Sequence, residues 1–145
     1  AMRMVRALGD ARGVRVNLQE AVEAPVDADA DLVGRLLINL LDNAIKHSPD
    51  GGVVEVRMQR RDGVVDVGVI DQGKGIPEQD RERVFQRFVR LAEEEGTGEQ
   101  PAARPSGVGL GLAIARRIAE AHGGSLIVFD STPGRTEFRL TLPLA

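Results

Sequence analysis

Apolar residues alternate between two periods along the chain, and each switch marks an element. Residues 13–19 (GVRVNLQ) alternate and predict a strand. From Asp31 to His47 the spacing turns helical, with Val33, Leu37, Leu41 and Ala44 on one stripe. Asp27 to Asp31 supply capping residues, and Pro49 with the Asp50-Gly51-Gly52 turn ends the helix. Residues 53–59 and 64–71 alternate again around Arg61-Asp62-Gly63, the pattern of a hairpin. Val54, Val56 and Met58 share one face, as do Val65, Val67 and Val69. Pro77 opens a short helix reaching about Phe88. Residues 91–106 are polar, aperiodic and rich in Gly and Pro. They predict a long mobile loop, and such loops are usually functional lids or disordered. A helix returns from Leu110 to His122, ended by Gly123-Gly124, with Leu110, Ile114 and Ile118 four apart. Residues 125–130 and 136–142 predict two closing strands, with Phe138, Leu140 and Leu142 on one face. Hairpins beside three helices predict an α+β fold, a two-layer sandwich rather than a doubly wound sheet.

Composition narrows this picture. A length of 145 residues fits one domain, 1–145, large enough to bury a core. With four Phe and no Trp or Tyr, that core must be aliphatic. The net charge of −3 and the lack of clustered Lys and Arg argue against nucleic acid as a partner. The absence of Cys excludes disulfides and Cys-ligated metals. The apolar runs are too short to span a bilayer and no signal peptide is visible. A cytoplasmic domain without direct membrane contact is expected, with an inner-membrane anchor elsewhere in the full-length protein left open.

Four clusters could carry chemistry. Asn39, Asn43, Lys46 and His47 fall within roughly 100° on the first helix. Asn is a poor helix former, so two on one seam suggest amide oxygens for Mg²⁺ and a cation for phosphate; a solvated polar edge is the plainer reading. Asp71 continues the alternation of Val65, Val67 and Val69, which puts a carboxylate on a buried face. An ionised Asp only accepts hydrogen bonds and suits the amino group of adenine, while Gly73 and Gly75 let the backbone turn closely. Capping of a turn is the commoner use of such an Asp. Gly107, Gly109 and Gly111 precede a helix, where backbone N–H groups favour an anion. No strand precedes them and no Gly-Lys-Ser/Thr follows, so neither a dinucleotide fingerprint nor a P-loop fits. Phe85 and Phe88 read as core anchors beside the loop, with Arg87 and Arg90 able to reach phosphate.

In order and spacing, NLLDNAIKHSP (39–49), DQGKGIP (71–77), FQRF (85–88) and SGVGLGLAIARRIAEAHGG (106–124) closely resemble the N box, first glycine box, F box and second glycine box of sensor histidine kinases. The resemblance covers roughly residues 12–143 and the four-motif set is highly specific. It implies the Bergerat fold shared with gyrase B, Hsp90 and MutL: a mixed, mostly antiparallel sheet on three helices, with an ATP lid at about 89–108. It implies that Asn43 holds Mg²⁺ with Asn39 in support. Lys46 and His47 would contact phosphates or sugar, and Arg87 or Arg90 would add positive charge. Asp71 would specify adenine, with Gly73, Gly75 and Ile76 in the pocket. Gly107, Val108, Gly109, Leu110, Gly111 and Leu112 match the phosphate loop and lid hinge, and Thr136 the Thr that shares a water with adenine.

Two departures matter. Arg135 stands where the family often has a second Gly before Thr136. The phosphoaccepting His of such kinases belongs to a separate dimerisation domain, and neither His47 nor His122 fits that role. The expectation is a monomeric catalytic domain of a longer, homodimeric kinase, binding ATP and Mg²⁺ but turning over little ATP alone. Its partners would be its own missing dimerisation domain and a response regulator. A gyrase- or Hsp90-type ATPase, an anti-sigma-factor serine kinase and a degenerate nucleotide-binding module are the alternatives.

Overall fold

The computed structural model describes residues 13–20, 24–86 and 111–145. These form β1 (Arg15–Glu20), α1 (Ala30–His47), β2 (Val53–Arg61), β3 (Val64–Asp71), 3-10 turns at Glu78–Asp80 and Arg83–Phe85, α2 (Gly111–Ala121), β4 (Ser125–Thr132) and β5 (Arg135–Pro143). The sheet order is β1-β2-β3-β5-β4. β1 runs parallel to β2, and the other pairs are antiparallel. The mixed, mostly antiparallel sheet packed on helices agrees with the expected fold class.

The N-terminus of α1 is capped by Asp29, whose Oδ1 accepts the N–H of Asp31 and Leu32 at 3.0 and 3.1 Å. Ser48 leaves the helix in an extended conformation, as suits the residue before a proline. Leu36, Leu40, Leu41, Ala44 and Ile45 are buried, with Val33 and Leu37 packed at the core margin. The apolar stripe is therefore wider than the predicted one, because α1 touches both the sheet and α2. Ala113, Ala115, Ile118 and Ala119 are the buried side of α2. His122 links the two helices: Nδ1 donates to the Ile118 carbonyl at 2.8 Å and Nε2 accepts the Asp29 N–H at 3.1 Å.

The helix expected from Pro77 is realised, over the described residues, as two 3-10 turns. Neither has a side-chain cap, and Phe85 is the one buried residue between them. Without an apolar stripe there is little to hold a longer α-helix on the core. Phe85 anchors the segment, its ring edge-on to Phe138 at a centroid distance of 5.9 Å. Arg116 of α2 lies 4.5 Å above the Phe85 ring and makes two hydrogen bonds, of 2.9 and 3.2 Å, to Glu82.

β3 has two contrasting faces. Val65, Val67 and Val69 join the apolar core under the helices. Asp66 points to the opposite face, where its carboxylate accepts from Thr141 Oγ1 at 2.6 Å and from the Arg61 guanidinium. On that face Glu137 accepts two hydrogen bonds from Arg139, at 2.9 and 3.2 Å. Its Oε2 occupies the space beside Gly68, 2.6 Å from where a Cβ would stand.

Candidate functional site

The site is built at the end of β3. Asp71 is 2% exposed and lies opposite Thr136 of β5, itself 2% exposed. The Asp71 Oδ1 accepts the Gly73 N–H at 2.9 Å, starting the loop that follows. At Gly73 a Cβ would stand 2.6 Å from the His47 carbonyl oxygen, so a side chain would push α1 and the loop apart. Gly75 has φ +94 and passes against Thr132 and Pro133, a conformation natural to glycine.

Hydrogen bonds hold this loop from three elements. The Gly73 carbonyl accepts the Gly134 N–H at 2.8 Å, and Ser131 Oγ accepts the Ile76 N–H at 2.7 Å. Gln72 Oε1 accepts the Val53 N–H at 2.9 Å, and Ser48 Oγ accepts the Gln72 N–H at 3.4 Å. The loop is thus fastened to the end of α1, the start of β2 and the β4–β5 hairpin. Burial pushes the Asp71 carboxyl above the ordinary carboxylate range, while the Gly73 N–H and the charge of His47 pull it the other way.

The seam of α1 leads from this loop toward α2. His47 sits at the Asp71 end, and its Nδ1 donates to the Asn43 carbonyl at 2.8 Å. Asn43 and Lys46 are half-buried. The Lys46 Nζ is paired with Asp42 at 2.9 Å, one turn back on the same helix. Asn39 lies near the N-terminus of α2, its Cγ 4.0 Å from a Cβ built on Gly111. Ile76 and Leu112 pack as partly buried residues against the core. The helix seam, the Asp71 loop and the start of α2 therefore adjoin one another. Arg87, Arg90, Gly107, Val108, Gly109 and Leu110, with the rest of the predicted lid, lie outside the described residues.

Several partners escaped the sequence reading. Gln72 and Ser48 look like ordinary turn residues until the loop closes on them. Asp42 was visible as an i, i+4 partner for Lys46. Ser131 was hidden by a register shift between Val128 and Asp130, which places it opposite Thr136. Among the described residues, no group of three or more His, Cys, Asp or Glu could hold a metal. The side-chain oxygens on the seam are the amides of Asn39 and Asn43 and the carboxylate of Asp42.

Comparison with known proteins gives a consistent result. Residues 28–145 match the family described as histidine kinase-, DNA gyrase B- and HSP90-like ATPases. The adaptive-response sensory kinase SasA of Prochlorococcus marinus is 39% identical over 135 residues, covering 92% of this chain and 34% of that protein. The histidine protein kinase DivJ of Caulobacter vibrioides is 35% identical over 145 residues, covering 99% of this chain and 23% of that one. The chain thus spans about a third or less of the length of these relatives. Among solved structures, the mycobacterial sensor histidine kinase MprB matches with a TM-score of 0.76 at 34% identity, over 99% of this chain and 90% of that one. Full-length ShkA in complex with AMPPNP matches with a TM-score of 0.79 at 27% identity, over 99% of this chain and 29% of that one.

Proposed function

The chain belongs to the histidine kinase-, DNA gyrase B- and HSP90-like ATPases, as the ATP-binding catalytic domain of a sensor histidine kinase, and we propose that it holds Mg·ATP between α1, the Asp71 loop and the start of α2. One observation carries this reading: a buried Asp71 with a raised pKa adjoins the amide-bearing seam of α1. Asp71 would accept the adenine amino group, with Gly73, Gly75 and Ile76 around the base and Thr136 sharing a water with it. Leu112, partly buried near the start of α2, would add apolar surface. The carboxamide oxygen of Asn43, supported by Asn39, fits Mg²⁺, a hard ion that takes oxygen ligands and shares its shell with phosphates. Lys46 would exchange Asp42 for a phosphate oxygen, and His47 would meet phosphate or sugar. The roles of Arg87, Arg90 and Gly107–Leu110 rest on the sequence resemblance alone.

When bound, Mg·ATP supplies the phosphoryl group, and the residues of this domain position and neutralise it. In the full-length protein the acceptor would be a His on a separate dimerisation domain, and a response regulator would receive the phosphoryl group next. The domain would work in the cytoplasm; among the described residues no helix is long and apolar enough to cross a membrane.

Calorimetry with AMPPNP, with and without magnesium, tests the site. Magnesium should tighten binding to the parent, and Asn43→Ala should remove that gain while leaving magnesium-free binding in place. No heat of association in the parent would overturn the proposal. In the full-length protein, γ-labelled ATP should leave an acid-labile label, whereas an acid-stable one would exclude histidine as acceptor.

A further inference from the structure

Two hydroxyls stand in line at the Asp71 pocket. Ser131 Oγ accepts the Ile76 N–H at 2.7 Å and lies 2.8 Å from Thr136 Oγ1. A register shift in β4 produces this line. Leu126 pairs with Leu140 and Val128 with Phe138, so unbroken alternation would set Asp130 opposite Thr136. The bulge puts Ser131 there instead and moves Asp130 opposite Glu137.

One end of the line is fixed by its root: a backbone N–H only donates, so Ser131 Oγ accepts from Ile76. The two hydroxyls share one further hydrogen bond in which either can donate. Where Ser131 donates, Thr136 keeps its own proton for the pocket; where Thr136 donates backward, it does not. Thr136 is the cross-strand neighbour of Asp71, so in the first arrangement the pocket sets an acceptor beside a donor. Adenine offers the complement: a donating amino group beside an accepting ring nitrogen, N1. Guanine offers the reverse, a carbonyl beside an N–H. Asp130 in place of Ser131 would have offered Thr136 an acceptor and turned its proton away.

We infer that Ser131 is a positioning residue for base selection: rooted on the Ile76 N–H, it holds the Thr136 hydroxyl as a donor toward adenine N1, directly or through a water. This rests on the proposal that Asp71 reads the base.

The test is calorimetry with ATP and with 1-deaza-ATP, whose N1 is replaced by C–H. The parent should bind ATP about tenfold more tightly, as expected for one neutral hydrogen bond. Ser131→Ala should shrink that gap to about twofold or less, and Ser131→Thr, which keeps the hydroxyl, should retain it. A gap that persists undiminished in Ser131→Ala, or is absent from the parent, overturns the inference. Should Ser131→Ala lose its fold by circular dichroism, Ser131→Cys, with its weaker donor, carries the same expectation. A second pair separates this failure from failure of the underlying site. ATP and purine riboside triphosphate, which lacks the amino group, should differ in the parent and converge in Asp71→Asn. If they do not converge, the base assignment itself is wrong. If they do, while Ser131→Ala changes nothing, only the hydroxyl relay is wrong.

Discussion

Asp66 and Asp71 are both buried, both on β3, and provided for in opposite ways. Asp66, on the face away from the helices, receives the Thr141 hydroxyl and the Arg61 guanidinium. Burial raises its pKa, but those hydrogen bonds and the charges of Arg61 and Arg139 outweigh it and leave the carboxyl below the ordinary range. Among the described residues Asp71 receives one backbone N–H, and there burial wins. A carboxylate that the fold satisfies belongs to the fold. One held with acceptor capacity to spare is available to a ligand, at some expense to the empty protein.

The contrast breaks most visibly at Asp71. Asp71→Asn should weaken ATP binding by roughly 10–100-fold, the range for a hydrogen bond to a charged group, as read by calorimetry. The nucleotide-free variant should melt no lower than the parent, because Asn keeps the Gly73 acceptor without a buried charge. A clear drop in its melting temperature would make Asp71 a structural residue. Asp66→Ala should do the converse. Stranding the Thr141 hydroxyl should cost roughly 1–3 kcal/mol in urea unfolding, with ATP affinity almost unchanged.

The smallest effect is the pH dependence, and its sign differs between the two residues. The depressed pKa of Asp66 contributes stability above its unfolded pKa, lost as pH falls through the folded value, below the ordinary carboxylate range. The raised pKa of Asp71 contributes stability only at acid pH, lost as pH rises through its folded value, above that range. Urea unfolding of nucleotide-free protein from about pH 7 to about pH 3 should therefore show Asp66→Asn approaching the parent in acid. Any advantage of Asp71→Asn should appear only toward neutrality.

Local signals made much of this legible. The predicted strand 64–71 coincides with β3, because alternation runs unbroken between a Gly turn and a Gly-rich loop. Asp71 was visible as a carboxylate in an apolar series, and α1 ends where Pro49 requires. What stayed hidden depends on partners distant in sequence. Nothing in Arg15–Glu20 announces parallel pairing with β2. A bulge leaves no mark on alternation: continued unbroken from Val128, β4 would set Asp130 rather than Ser131 opposite Thr136. The reading of Lys46 as a phosphate contact did not include Asp42, its partner one turn back on α1.

Glu137 has a consequence for how this sequence can change. Its carboxylate fills the space where residue 68 would otherwise carry a side chain. The two positions, far apart in the chain, therefore share one volume, and their substitutions are coupled: an alanine at 68 fits once the end of the Glu137 side chain swings aside or residue 137 is shortened. A side chain at 68 would thus come with a disturbed Glu137–Arg139 pair.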